Sequence, residues 1–336
     1  MSLSNQTSLS SILLPIQQKT LFGISWFYVT FGIFGCFLNI LLFSQKQFRQ
    51  ISCCTYFLVA SIAMFTQLVI FSIPSIYAYY YFNPMSSFML YCKIRMYIIQ
   101  ITSFVYRWSY TIASLDRYIL SSSNARLRKF ASVQIAIRVL LGIVLISLIY
   151  SVYIPFVYEI KSLVCSIFNN PNMTLFTSLS SIILGAFIPV LIMIICTLLT
   201  RKNLKEKRQR RQNLSIREVN QEKRDRQALR MLFVQILVFI IITLPWMGYS
   251  INNVISSYTP NKTSDRIAIE NFITAVAGAL AFLFPSLSFY LYTLTSSMFR
   301  TELILLIKVL IHWKCLTQNH RIEPTNTIAS HRTPMK

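Results

Sequence analysis

Read for hydropathy alone, the chain alternates long apolar runs with shorter polar links. Seven runs stand out, near 21–44, 55–80, 92–118, 134–156, 177–200, 225–250 and 268–295. Each is long enough to cross a hydrocarbon core of about 30 Å as a helix, whereas a lone strand would leave its backbone unsatisfied in lipid. The pattern predicts an all-α membrane protein: a seven-transmembrane helix bundle over 21–295, after an N-terminal tail at 1–20. Past the last run, residues 299–313 mix apolar and polar positions as an amphipathic helix does, placing a short membrane-surface helix within 296–314 and a polar tail at 315–336.

Composition supports this class. The chain is 54% apolar and 12% charged, where a soluble domain carries about 25% charged residues. A net charge of +22 raises the question of nucleic acid, but twelve of the 32 Lys and Arg fall within 201–230 alone. Glu206, Glu218, Glu222 and Asp225 dilute that segment, and most other cations edge the apolar runs as topology signals do. Membrane lipid, not nucleic acid, is the partner this charge implies. With the N-terminus outside, 24 cations lie inside and six outside, Arg107 and Arg138 falling within spans. The imbalance predicts a multi-pass protein of the plasma membrane with its N-terminus extracellular. Residues 1–20 lack a basic region, apolar core and small-residue cleavage site, so the first span is expected to target itself. Asn5, Asn172 and Asn261 head sequons on the outer side and are candidate glycosylation sites. Cys315, just past the amphipathic helix, is a candidate for palmitoylation, with an unmodified cysteine the plain alternative.

The third run opens at Cys92 and closes on Asp116-Arg117-Tyr118. Twenty-five positions separate Cys92 from Arg117, about 37 Å at helical rise. With six other spans around it, this stretch resembles the third helix of a rhodopsin-like (class A) G-protein-coupled receptor, of the divergent invertebrate type seen among orphan and peptide receptors. The resemblance covers about 21–315. Gly35 and Asn39 in the first span, Pro189 in the fifth, Pro245 in the sixth, and Tyr292 followed seven residues later by Phe299 extend it. Departures are equally specific. The family's Cys-Trp-x-Pro reads Ile242-Thr243-Leu244-Pro245, with Trp246 after the proline instead. Its Asn-Pro-x-x-Tyr survives as Ser288-Phe289-x-x-Tyr292, with Pro285 a turn earlier to supply a bend. No carboxylate lies in Val59-Ala60-Ser61-Ile62-Ala63-Met64-Phe65, where the family binds sodium, so no metal site is expected.

The resemblance implies a receptor that binds an extracellular ligand and activates a heterotrimeric G protein, with no cofactor. It implies a switch at Asp116, Arg117 and Tyr118, with Asp225 as a sixth-helix acid for Arg117, and with Tyr292 on the seventh helix. It also makes Cys92 half of a disulfide. Cys36 and Cys196 lie in spans and Cys53, Cys54 and Cys315 inside, which leaves Cys165 as the partner. Arg107 stands where the family has an aliphatic residue against the fifth-span proline and a sixth-span Phe, here Pro189 and Phe239. A cation at that depth is costly, so it is expected to face the bundle and find polar partners.

For the ligand, Ile99 occupies the position where amine receptors carry an Asp, which disfavours an amine. Arg95, Gln100, Ser103, Ser181, Trp246, Asn253 and Glu270 line the expected mouth with Ile99. Such a mouth suits a peptide, with an anionic terminus against Arg95 or Lys93; the alternative is that these cations only anchor at headgroups. A retinal pigment is excluded because no lysine lies between Arg266 and Arg300. The three histidines all lie beyond the last span and no span holds an acidic pair, so no enzyme chemistry is expected. A transporter or channel is the competing class, but no internal repeat is visible and Arg107 is the one ionisable group near mid-membrane.

Overall fold

The computed structural model describes residues 9–161, 164–167, 171–210, 216–259 and 263–319, without side chains at 10, 161, 164, 166, 207–226, 228, 229, 257 and 310–319. Helix α1 runs from Leu9–Phe27 through a π-helical turn, Tyr28–Ile33, into Phe34–Phe43. It begins a full three turns before the run near 21, with Pro15 inside it. Then come α2 (Ser52–Tyr80), α3 (Met89–Ser121) and α4 (Val133–Ser151). A hairpin of β1 (Tyr158–Lys161) and β2 (Val164–Ile167) pairs Ile160 with Cys165. Helix α5 comprises Pro171–Ile182, a second π-helical turn, Ile183–Phe187, and Ile188–Arg210. Helix α6 (Ile216–Ser257) and α7 (Ser264–Leu280, then Leu283–Thr295) complete a seven-helix bundle, and α8 (Ser297–Asn319) follows. Helices α5 and α6 both run past the apolar runs into the charged 201–230 segment.

Local chemistry sets several ends. Ser132 accepts a hydrogen bond from the Ile135 amide to cap α4, and Thr263 does the same for Arg266 at the start of α7. Helix α7 breaks at Ala281 and Phe282, one turn before Pro285. Proline has no N–H to return to the Ala281 carbonyl, which loosens that turn. At the end of α7, Arg300 donates to the Thr293 and Leu294 carbonyls, a cation where the helix dipole is negative.

Among the described residues six helices are long and apolar enough to cross a membrane, and α3, whose run the sequence suggested was apolar for a bilayer's depth, is not one of them. Helix α3 lies at the centre, packed chiefly against α2 and α5. Its buried residues include Arg95, Thr102, Ser109, Thr111, Ser114, Asp116 and Arg117. A helix enclosed by protein is solvated by neighbouring side chains rather than by lipid, so it can carry polar groups that a lipid-facing helix cannot. Helix α4 shows the converse, with Leu141, Leu145 and Ile149 turned outward.

Close approach of α1 to α7 depends on small residues. A Cβ at Gly32 would meet Ser286 Oγ at 2.6 Å, and one at Gly35 would meet Phe289 Cβ at 3.0 Å. Below this contact an aromatic group anchors α8. Phe299 is fully buried, with its ring centroid 5.6 Å from Phe43 and 5.7 Å from Tyr292. Such pairs add about 0.5–1.5 kcal/mol each beyond the area they bury.

Candidate functional site

At the C-terminal end of α3, Asp116 and Arg117 are each only 5% exposed and joined by an ion pair of 2.9 Å. Ser52, the first residue of α2, completes the group. Its hydroxyl donates to Asp116 Oδ2 at 2.8 Å and accepts from Arg117 Nη2 at 3.2 Å. Ser52 is also buried, so the three residues form a compact polar cluster between two helices. A buried pair of this kind differs from a surface bridge: removing one member leaves an uncompensated charge, costing about 3–5 kcal/mol. Tyr118 is half-buried beside it. Asp225 lies on α6, with its side chain outside the described residues.

Neighbouring contacts join further helices at the same end of the bundle. Asn203 of α5 donates to Ser121 at 3.1 Å. The Arg201 guanidinium lies 4.2 Å from the Phe233 ring centroid, joining α5 to α6. Gln227 of α6 donates to Ser297 at the start of α8 at 2.6 Å.

One layer deeper, Tyr292 shares a 2.8 Å hydrogen bond with Tyr110 of α3, both hydroxyls being buried. Asn39 donates to Ser288 Oγ at 3.2 Å, and the Ser288 hydroxyl donates in turn to the Pro285 carbonyl at 2.9 Å. Gln235 of α6 donates to the Ser288 carbonyl at 3.4 Å. These bonds tie α1, α6 and α7 together around the altered Ser288-Phe289-x-x-Tyr292 stretch.

Arg107 faces the bundle. It donates from Nη1 to the Gly185 carbonyl of α5 at 3.2 Å and from Nε to Tyr106 at 3.2 Å. Its guanidinium carbon lies 5.8 Å from the Phe239 ring centroid, and Phe239 stands edge-on to Phe284 at 5.3 Å.

At the opposite end, a disulfide joins Cys92 to Cys165, with a Cα–Cα distance of 6.1 Å. It fixes the β-hairpin onto the start of α3. Burial pushes the Tyr158 phenol of β1 above its ordinary pKa, and nearby Tyr249 adds to the shift.

The residues expected to line a mouth fall into two groups. Trp246 donates to Ser181 at 3.4 Å, with Tyr249 5.2 Å from the Trp246 ring. Glu270 accepts from Arg266 at 3.0 Å, and Asn253 is half-buried on the same α6–α7 side. The α3 residues behave differently. Ser103 is held by Gln67 of α2 at 2.8 Å, and Ile99 and Gln100 are half-buried. Arg95 is 8% exposed and turned into α2, donating to the Ile70 carbonyl at 3.2 Å and the Phe71 carbonyl at 3.4 Å, and touching Met85 Sδ. The Arg95 guanidinium thus serves backbone carbonyls of α2 in this structure.

Among the modification sites, Asn172 is exposed in the first turn of α5, while its sequon partner Thr174 is buried. Asn5 and Asn261 lie outside the described residues, as does the side chain of Cys315. No group of three or more His, Cys, Asp or Glu suited to a metal occurs among the described residues. Sequence reasoning missed Ser52 and Tyr110. A serine opening a helix carries no distinguishing mark, but Tyr110 sits seven residues before Arg117 and so shares its face of α3.

The outlines of the bundle, the disulfide onto α3 and the buried Asp116–Arg117 pair set the frame for comparison with known proteins. No match is found among curated proteins. The model of the 7 transmembrane receptor (rhodopsin family) matches residues 35–296, from the middle of α1 past the end of α7, and the chain belongs to that family.

Proposed function

We propose that the chain is a cell-surface receptor whose ligand enters at the disulfide end and whose G protein docks at the Asp116–Arg117 end. The observation that carries this reading is the burial of Asp116 and Arg117 with Ser52. A charge cluster withdrawn from water at a helix end, with α6 tied to α5 and α8 across it, is the closed half of a two-position device. Moving α6 outward breaks the Arg201–Phe233 and Gln227–Ser297 contacts and opens a groove beside Arg117 for a partner helix.

In this orientation the N-terminus is extracellular, the protein resides in the plasma membrane, and helices α3, α5 and α6 present the docking surface. Ser181, Trp246, Tyr249, Asn253 and Glu270 form the ligand mouth. Its mix of aromatic faces and separate hydrogen-bonding groups suits a peptide. Arg117→Ala separates coupling from binding. In membranes from cells expressing the full chain with heterotrimeric G proteins, wild type is expected to catalyse nucleotide exchange and Arg117→Ala is not. Surface expression should be equal. Normal exchange by Arg117→Ala, or solute uptake by wild type without any exchange, overturns the reading.

A further inference from the structure

Two arginines of α3 lie inside the bundle, and neither is paired with a carboxylate among the described residues. Both have the same kind of partner. Arg95 donates to the carbonyl of Ile70, and the residue four places on is Pro74, inside α2. Arg107 donates to the carbonyl of Gly185, and the residue four places on is Pro189 in α5. In an α-helix the carbonyl of residue i accepts from the N–H of residue i+4, and proline has none. Pro74 therefore strips the Ile70 carbonyl of its helical donor. In α5 the π-helical turn carries the Ile188 N–H to the Ile183 carbonyl and Pro189 has no N–H, so the Gly185 carbonyl is likewise left without an i+4 donor. Each arginine meets one of these carbonyls.

The two expensive features offset each other. A carbonyl without a donor is costly in hydrocarbon, and so is a guanidinium without acceptors. Aromatic faces complete the surroundings: Phe71 lies 5.8 Å from Arg95, and Tyr106 and Phe239 lie 5.6 and 5.8 Å from Arg107. The second site is shaped for its arginine. The carbonyl belongs to the π-helical turn Ile183–Phe187, and a Cβ on Gly185 would sit 2.7 Å from Arg107 Nη1. Glycine is what lets the guanidinium reach the backbone.

We propose that Arg95 and Arg107 are positioning residues, each supplying from α3 the donor that a proline has removed from a neighbouring helix. Arg107 in addition joins α5 and the Phe239 ring of α6 to α3, and so favours the closed arrangement of the bundle. That regulatory part rests on the receptor reading given above; the clasp itself does not.

The test is a double-mutant cycle on the full-length protein, read by melting temperature after purification and by ligand-independent nucleotide exchange in membranes. Pro189→Ala returns to this turn an N–H that can make the α-helical i+4 bond to the Gly185 carbonyl, which makes the Arg107 donor redundant. Arg107→Leu is expected to lower the melting temperature by several degrees in the wild-type background and by less than half as much in Pro189→Ala. Arg95→Leu with Pro74→Ala should behave likewise. Basal exchange by Arg107→Leu should rise roughly fivefold or more per surface receptor. Equal melting shifts in both backgrounds overturn the clasp, and unchanged basal exchange overturns its regulatory role. Should Arg107→Leu not fold, Gly185→Ala carries the test, because its methyl group displaces the guanidinium. It should lower the melting temperature, whereas Gly142→Ala, with open space around it, should not. A Gly185→Ala protein as stable as Gly142→Ala also overturns the clasp. If no variant and no wild type exchanges nucleotide, the receptor reading fails, and the melting cycle still decides the clasp by itself.

Discussion

Ser52→Ala tests the closed arrangement at the point where the fewest atoms change. The hydroxyl makes two bonds, 2.8 Å to Asp116 and 3.2 Å from Arg117, and both partners are ionised groups only 5% exposed. A hydrogen bond to a charged group contributes about 1.5–3 kcal/mol. Both are lost in the alanine variant, and the methyl that remains cannot replace them. Taking only the lower value, and the contacts as belonging to the closed state, about 1.5 kcal/mol leaves the closed side of the equilibrium. At 1.36 kcal/mol per decade, that raises the open population about tenfold, for example from ~1% to ~10%. The assay is ligand-independent nucleotide exchange per surface receptor in membranes containing the full chain. Ser52→Thr keeps a hydroxyl at the same backbone position and serves as the control. Basal exchange for Ser52→Ala within twofold of wild type would refute the reasoning. So would Thr and Ala variants that behave alike.

Two further outcomes follow from contacts elsewhere. Cys92→Ser or Cys165→Ser should reduce surface expression and lower the melting temperature, since losing a native disulfide costs about 2–5 kcal/mol; mass spectrometry of intact protein should find both thiols oxidised in wild type. Tyr110→Phe and Tyr292→Phe should each destabilise, because each strands the other hydroxyl at a cost of about 1–3 kcal/mol, while the double Phe protein should recover most of the lost melting temperature.

How much of this could be read from the sequence depended on the range of the interaction. The spans were legible because lipid imposes a length and a composition on each segment separately. The Cys92–Cys165 pairing was legible because the resemblance and the sorting of cysteines by side left one partner. Helix α3 was misjudged in character, though not in position, because enclosure is a property of the bundle and leaves no mark on the segment itself. Ser52 and Asp116 are 64 positions apart, and Tyr110 and Tyr292 are 182 apart, so no local pattern links them. Arg107 was conspicuous as a cation at depth, but a backbone carbonyl has no letter in the sequence. Its position could still have been inferred, since Pro189 marks the carbonyl four residues before it as lacking its α-helical donor.

The π-helical turn in α5 has a consequence for how this protein can diverge. Such a turn accommodates one residue more than the α-helix around it, and one residue is worth about 100° of rotation. The N-terminal half of α5, which brings Ser181 to Trp246, therefore has an azimuth set independently of the C-terminal half, which brings Asn203 to Ser121. Loss of a single codon within 183–187 would turn one half relative to the other without altering a single side chain at either end. Insertions and deletions in this turn thus offer evolution a dial on the Ser181–Trp246 end of the bundle that leaves untouched the Asn203–Ser121 end.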